Sequence, residues 1–363
     1  MTLPSPPMSL LAELTHRCPL SCPYCSNPLE LERKAAELDT AAWSSVLEQA
    51  AELGVLQVHF SGGEPMARSD LVELVAVARR LNLYSNLITS GVLLDEATLE
   101  SLDKAGLDHV QLSFQDVTET GAERIGGLKG AQARKIAAAR LIRASGIPMT
   151  LNFVVHRENV AHIPEMFALA RDLGAGRVEI AHTQYYGWGL KNLNALLPSR
   201  EQLEESTRAV EAERAKGGLS IDYVTPDYHA DRPKPCMGGW GQRFVNVTPS
   251  GRVLPCHAAE IIPDVSFPNV KDATLSEIWN ISPLFNMFRG TDWMPEPCRS
   301  CERKERDWGG CRCQAMALTG NAANTDPVCE LSPFHEQLVQ SVEQSVQSLP
   351  ALTYRRFSPG SSR

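Results

Sequence analysis

Long apolar runs are missing from this sequence of 363 residues. No stretch approaches the ~18 consecutive apolar residues that cross a bilayer, so no membrane association is expected. Positive charge is also scarce. Lys and Arg total 35 against 43 Asp and Glu, a net charge of −8. A chain that grips nucleic acid by neutralising phosphates leans the other way, so no nucleic-acid partner is expected. The start, Met1-Thr2-Leu3-Pro4-Ser5-Pro6-Pro7, lacks the basic and apolar regions of a secretory signal, which points to a cytoplasmic protein. Cysteine is absent between Cys25 and Cys236, although the chain contains ten. In a reducing compartment ten cysteines do not read as a disulfide framework. Cys18, Cys22 and Cys25 stand together, and the other seven fill the last third of the chain. Two separate metal regions are the economical reading.

What is present is a repeating alternation. Strands are expected at 8–14, 55–60, 83–89, 108–114, 148–155 and 177–181, with helices between them at 40–53, 69–81, 95–105, 130–145 and 160–173. Trp43, Val46, Leu47, Ala50 and Leu53 have the spacing of one buried helical face. Ser69-Asp70 reads as a cap for the second helix, and Ser199-Arg200-Glu201-Gln202 as a capping box opening a sixth. Six βα units make a parallel sheet with helices outside it. Six is short of a closed eight-unit barrel, so an open, partial barrel is expected; a doubly wound sheet fits the same pattern. After Tyr223 the texture changes. A breaker-rich linker, Asp231-Arg232-Pro233-Lys234-Pro235, precedes a hairpin over Phe244–Leu254 turning at Pro249-Ser250-Gly251. A helix is expected near 274–289, a loop-rich cysteine region over 295–330, another helix over 336–348, and disorder in Ser358–Arg363. The expected domains are 1–224, 225–335 and a tail over 336–363.

Cys18-x3-Cys22-x2-Cys25 follows directly on the first strand. At this cysteine content chance predicts about 0.007 occurrences of that spacing. Structural zinc wants a fourth local ligand, and His16 has no zinc-ribbon spacing. Three thiolates instead suit a cubane cluster with one iron left open. The carboxyl end of a barrel strand is where active sites collect. Gly62-Gly63-Glu64-Pro65 follows the second strand, where two glycines allow close backbone approach and Glu64 can accept from an ammonium group.

The cysteine loop and Gly62-Gly63-Glu64-Pro65 together resemble the radical S-adenosylmethionine (SAM) superfamily, over about residues 8–224. The resemblance implies a TIM-like partial (β/α)6 barrel and a 4Fe–4S cluster on Cys18, Cys22 and Cys25, whose open iron is chelated by SAM. Reductive cleavage of SAM to methionine and a 5′-deoxyadenosyl radical is implied with it. Tyr24, Gly62, Gly63, Glu64, Pro65, Ser113, Gln115, Arg124 and Asn152 are the implied SAM contacts. From the residues alone, Ser113 and Asn152 serve equally as local hydrogen-bond partners and Arg124 as a solvated helix charge.

Cys236, Gly251, Cys256, Cys298-x2-Cys301, Cys311 and Cys329 resemble the SPASM extension of that superfamily, which implies two auxiliary iron–sulfur clusters. A double zinc ribbon is the alternative from these residues alone. Asp307 stands where the family has a cysteine, and Cys313 is additional. The resemblance groups Cys236, Cys256 and Cys311, and Cys313 completes that set if residues 311 and 313 of an extended segment point the same way. Cys298, Cys301 and Cys329 then take Asp307 as the fourth ligand. A 2Fe–2S centre is expected for the first set and a 4Fe–4S centre for the second. The alternative pairs Asp307 with Arg303 or Arg306 on a solvated loop.

Cys22-Pro23-Tyr24-Cys25-Ser26-Asn27-Pro28, Ser113-Phe114-Gln115-Asp116 and Cys311-Arg312-Cys313-Gln314 resemble the coenzyme PQQ synthesis protein E family. This implies a ribosomal pyrroloquinoline quinone (PQQ) precursor peptide as substrate, in which a Glu Cγ and a Tyr ring carbon become joined. It also implies a peptide chaperone, coenzyme PQQ synthesis protein D, and an external electron donor. Other peptide maturases of the SPASM type, forming thioethers or oxidising side chains, are the alternative. No side chain in the sequence identifies itself as the proton acceptor.

Overall fold

A computed structural model describes residues 3–347 and 350–355. The expected disorder of Ser358–Arg363 lies outside the described residues. Among those residues no helix is long and apolar enough to cross a membrane.

The strands are β1 (Ser9–Thr15), β2 (Gln57–Gly62), β3 (Tyr84–Thr89), β4 (His109–Phe114), β5 (Met149–Val155), β6 (Arg177–His182), β7 (Ser220–Val224), β8 (Phe244–Val247) and β9 (Val253–Leu254). They form one sheet in the order β7-β6-β5-β4-β3-β2-β1-β8-β9. Every pairing from β7 through β8 is parallel; only β8 and β9 are antiparallel. The helices of the βα units are α1 (Thr40–Leu53), α2 (Leu71–Arg80), α3 (Glu96–Ala105), α4 (Glu119–Gly126), α5 (Ala131–Ser145) and α6 (Ile163–Asp172). The short α7 (Gly187–Lys191) and α8 (Leu193–Leu196) precede α9 (Arg200–Lys216). Beyond β9 lie α10 (Leu275–Ile281), α11 (Pro283–Asn286), α12 (Lys304–Asp307), α13 (Arg312–Thr319) and α14 (His335–Gln347).

Local chemistry sets the boundaries. Asp39 caps α1 by accepting from Ala42 N at 2.8 Å, and Gly54 ends it in the left-handed region at φ 96°. Trp43, Val46, Leu47 and Ala50 form its buried face, as the spacing predicts. The capping box at Ser199 closes as expected, with Ser199 Oγ accepting from Gln202 N and Gln202 Oε1 accepting from Ser199 N. Asp70 does not cap α2. Its carboxylate accepts from Arg68 and Thr40 instead, because a guanidinium two residues away competes better than a backbone amide. The helix expected over 274–289 is broken between α10 and α11 at Pro283, which has no N–H to continue the ladder. The short α7, α8, α12 and α13 went unforeseen, as did α4 and β7. α4 is short and contains Gly121 and Gly126, and β7 is a half-exposed edge strand with weak apolar alternation.

The two-residue period of the strands splits the sheet into two faces. Leu10, Leu14, Val58, Phe60, Val110, Leu112, Leu151, Phe153, Val178 and Ile180 are buried against the helices. The opposite face, lining the lumen of the open barrel, has a polar lower half: His59, Asn86, His109, Gln111, Thr150 and Glu179. Asn86 bridges His59 and His109, and Gln111 and Asn152 both donate to Glu179 Oε2 at 2.8 Å. The hairpin expected at 244–254 is present, but β8 pairs with β1 over Ser9↔Phe244 to Ala12↔Val247. The cysteine-rich region is thereby stitched onto the barrel sheet.

That seam yields a prediction. A chain ending after Val224 exposes the backbone edge of β1, an inner strand of the sheet, and such edges template aggregation. Light scattering is expected to find this fragment aggregated while the full chain stays monodisperse; a monodisperse fragment would show that the seam is dispensable.

Candidate functional site

The loop after β1 is held by the turn after β2. Gly63 N donates to Thr15 O at 2.6 Å and Glu64 N to Arg17 O at 2.7 Å. There is no room for side chains between these segments. A Cβ on Gly62, which sits at φ +119°, would lie 2.3 Å from Thr15 O, and one on Gly63 would lie 2.4 Å from Arg17 O. The loop is tied further by Ser21 N donating to Gly126 O and Cys25 N to Cys22 O. His16 is buried, with Nδ1 accepting from Glu32 N at 3.0 Å, which gives it a structural task.

Cys18, Cys22 and Cys25 line one cavity of about 290 Å³ at the carboxyl end of the barrel strands. The sequence-expected residues Tyr24, Gly62, Gly63, Ser113, Gln115 and Asn152 share its walls. All ten cysteines are free thiols. Burial pushes the Cys18, Cys22 and Cys25 thiols up, Cys22 to about 11, so ligation of a metal here must displace protons. The Tyr24 hydroxyl is buried beside them, within reach of the Cys22 thiol and the Gln115 amide. Three thiols on one wall of a mostly apolar cavity that also carries Tyr24, Ser113, Gln115 and Asn152 fit an iron–sulfur cluster with a ligand at its open position.

Three expected contacts lie outside the cavity lining. Glu64 is fully buried, but its carboxylate accepts from Thr89 Oγ1 (2.7 Å), Met66 N (3.2 Å), Ser90 N (2.9 Å) and Ser90 Oγ (2.5 Å). Four donors occupy its acceptor positions, so it clamps the turn to the end of β3. Pro65 is buried and opens a 3₁₀ turn next to it. Arg124, on α4, is half-exposed and ion-paired with Glu158, as a solvated helix charge would be.

Other residues here carried weaker sequence signals. Ser90, Gln111, His182, Gln184 and Tyr186 also line the cavity. Tyr186 is the informative one, because its hydroxyl hydrogen-bonds to Nε2 of His257, the neighbour of Cys256. Its ring also packs against the cysteine cluster of the last third. Its position just beyond a strand's carboxyl end was the available clue. Beneath the cysteine loop, Lys135 of α5 is fully buried and donates to Ser113 O at 2.8 Å and to Gln115 Oε1. Burial lowers its ammonium to about 8, against the opposing pull of Cys22, Glu64 and Cys18.

The remaining cysteines form two groups. Cys236, Cys256 and Cys313 share a buried cluster with Trp240 and Phe288, and Cys311 packs onto it. Thiol contacts run from Cys236 to Cys311, from Cys311 to Cys313 and from Cys313 to Cys256; they hold Cys311 and Cys256 below the usual thiol range. The expected extended Cys311–Cys313 segment is corrected. Cys311 is extended, but it caps α13 and Cys313 lies in the helix's first turn. The tight cap still brings the thiols together. Cys298, Cys301, Cys329 and Asp307 line a second, separate pocket with Arg232. Asp307 is buried; Arg303 approaches it at 3.6 Å, and its Oδ1 accepts from Gly309 N at 3.1 Å. Asp326 ties the two groups together. It accepts from Cys311 N (2.6 Å), Gln314 Nε2 (2.8 Å) and Val328 N (3.0 Å), and burial raises it to about 7.

Known proteins are similar to this chain in sequence and in fold. Residues 12–170 match the radical SAM superfamily, and residues 236–302 match SPASM, an iron–sulfur cluster-binding domain. A PqqA peptide cyclase of Gluconobacter oxydans (strain 621H) is 89% identical over 358 residues, covering 99% of this chain and 100% of that protein. The PqqA peptide cyclase of Granulibacter bethesdensis is 61% identical over 359 residues, 98% of this chain and 96% of that one. The crystal structure of Streptococcus suis SuiB bound to S-adenosylmethionine superposes with a TM-score of 0.75 at 20% identity, covering 90% of this chain and 78% of that one. It shares the fold.

The clamp at Glu64 gives a test that needs no ligand. Glu64→Ala strands the buried donors of Thr89 and Ser90, each costing about 1–3 kcal/mol. Denaturant unfolding of the ligand-free variant is expected to show that loss. If stability falls only in the presence of SAM, Glu64 is a ligand contact after all.

Proposed function

The chain belongs to the radical SAM superfamily and, within it, to the PqqA peptide cyclase family, and from that membership we propose that it joins a Glu Cγ to a Tyr ring carbon of the PqqA precursor peptide. The observation that carries this reading is the shared cavity of Cys18, Cys22, Cys25, Gly62 and Gly63, walled by Tyr24, Ser113, Gln115 and Asn152.

An unactivated Glu Cγ–H has no acidity that a side-chain base can use, and SAM bound to a reduced 4Fe–4S cluster supplies the 5′-deoxyadenosyl radical suited to it. In this reading Cys18, Cys22 and Cys25 would hold the cluster by three of its irons, leaving one open for SAM. Gly62 and Gly63 bring bare backbone up to the methionine end of SAM. Ser113, Gln115 and Asn152, on the lumen ends of β4 and β5, orient the ribose side. SAM and peptide filling this cavity would displace water from the reacting centre.

Forming the bond passes one hydrogen atom to the 5′-deoxyadenosyl radical, and restoring the aromatic ring then releases one proton and one electron, which needs a route away from the ring. Cys236, Cys256, Cys311 and Cys313 hold a 2Fe–2S centre for this purpose, and the contact of Tyr186 with His257 supports that assignment. Cys298, Cys301, Cys329 and Asp307 hold a 4Fe–4S centre, supported by their common pocket. A carboxylate is a harder ligand than a thiolate and makes that centre more labile. The peptide is presented by coenzyme PQQ synthesis protein D, and electrons come from an external donor, in the cytoplasm. The functional divisions are 1–224 for the SAM core and 225–335 for the auxiliary centres.

The decisive experiment incubates the anaerobically purified protein with the PqqA peptide, the chaperone, SAM and a reductant. Mass spectrometry is expected to find a product lighter by two hydrogens, with no backbone fragment ions between the Glu and the Tyr. Release of 5′-deoxyadenosine with the peptide unchanged would remove this substrate. The triple change of Cys18, Cys22 and Cys25 to Ala is expected to abolish 5′-deoxyadenosine while auxiliary iron is retained. For the second auxiliary set, Asp307→Cys and Asp307→Ala are each expected to alter one auxiliary paramagnetic signal and leave the core signal intact. Spectra identical to the parent's would return Asp307 to its pairing with Arg303.

A further inference from the structure

Glu179 of β6 stands in register with Asn152 of β5, which is in register with Ser113 of β4. Residues paired this way share a face of the sheet, so the three form one row across the lumen. Gln111, two residues before Ser113, lies on the same face one step lower. Asn152 Nδ2 and Gln111 Nε2 each donate at 2.8 Å, and both donate to one oxygen, Glu179 Oε2. Gln111 and Asn152 line the cavity that holds the three cysteines. Glu179 lines the lower cavity of the lumen, about 680 Å³, and Gln111 borders that one too. Together they are the partition between the two spaces.

The two ends of a carboxamide have nearly the same shape and opposite hydrogen-bonding character. An unconstrained Asn152 could therefore show the upper cavity either its N–H or its C=O. A carboxylate only accepts, so Glu179 removes that choice by drawing Nδ2 down to itself. Oδ1 is then turned the other way, and among the described residues no donor meets it. Asn152 is otherwise buried, and a buried carbonyl oxygen calls for a donor. The second donor, from Gln111, pins the carboxylate that does this work.

We propose that Glu179 is a positioning residue of the SAM site, fixing Asn152 Oδ1 as the acceptor for a ribose hydroxyl. Glu179 touches neither SAM nor the reacting atoms. It acts through an acceptor oxygen beneath the cavity floor, as a supporting hydrogen bond locks the rotamer of a ligand-contacting side chain. This role rests on the reading that Asn152 contacts the ribose, and it is independent of which peptide is modified.

The test is equilibrium dialysis of the anaerobic holoprotein against SAM and against its 2′-deoxy and 3′-deoxy analogues. In the parent, loss of the hydroxyl that Asn152 accepts from is expected to weaken binding about fivefold, the scale of one neutral hydrogen bond. Asn152→Ala is expected to abolish that penalty. Glu179→Met and Glu179→Leu fill the same space without an acceptor; each is expected to weaken SAM binding about fivefold and to abolish the same penalty. Glu179→Gln can place its amide oxygen where Oε2 stands and is expected to restore both values. A penalty that survives in the Met and Leu variants would overturn the proposal. So would a Gln variant that behaves like them, or loss of the fold in both, read from auxiliary iron content, because Glu179 would then only support the barrel. If the parent penalises neither deoxy analogue, the ribose contact of Asn152 falls, and the proposal with it.

Discussion

The close approach of Gly62 and Gly63 to the backbone of Thr15 and Arg17 is the contact on which the site depends. Two hydrogen bonds under 2.8 Å join the segments, and no Cβ fits between them. The cysteine loop leaves β1 there, so its first residues inherit the rigidity of the sheet. Glu64 extends this rigidity to β3 by collecting donors from Thr89 and Ser90. Three strand ends thus become one platform, and Cys18, Cys22 and Cys25 converge above it. A loop with this many backbone polar groups needs such partners, since each unpaired buried group would cost as much as a lost hydrogen bond.

The strand period does the rest of the positioning. Leu112 and Phe114 turn outward to the helices, while Gln111 and Ser113 turn inward to the lumen; β5 does the same with Leu151, Phe153 and Asn152. An open barrel leaves that lumen accessible, so polar residues there are tolerated and useful. At one edge β8 continues the sheet beside β1. This places the cysteine-rich region beside the strand that launches the first cysteine loop. Sequence distance between the two metal regions is therefore a poor guide to their separation, and Tyr186 touches both.

The βα alternation, the capping box at Ser199 and the buried face of α1 were legible because each is a local signal with its own physics. The cysteine loop and the two glycines were legible because their spacing is rare and their chemistry demanding. The intramolecular partners of Glu64 and Arg124 were not. A carboxylate beside a glycine turn looks the same in sequence whether it meets a ligand or the hydroxyls of Thr89 and Ser90. Only the register of β2 against β3 decides which. β7 was lost because a half-exposed edge strand carries little apolar pattern, and the β1–β8 seam because no local signal encodes a parallel pairing so distant in the chain. Tyr186 and Lys135 belong to the same class, since their meaning lies in what faces them.

Buried charge in this structure is met by partners within the chain. Glu64 is satisfied by donors already in the protein. Arg312, enclosed between the two auxiliary groups, is likewise satisfied, donating to the carbonyls of Ala322 and Asn324 at 2.8 Å and to those of Gly309 and Gly310. Lys135 is enclosed as well, donating to Ser113 O and Gln115 Oε1 with the buried Glu64 carboxylate acting on its ammonium. Each of these buried charges is therefore answered by groups of the polypeptide itself, as enclosure away from water requires.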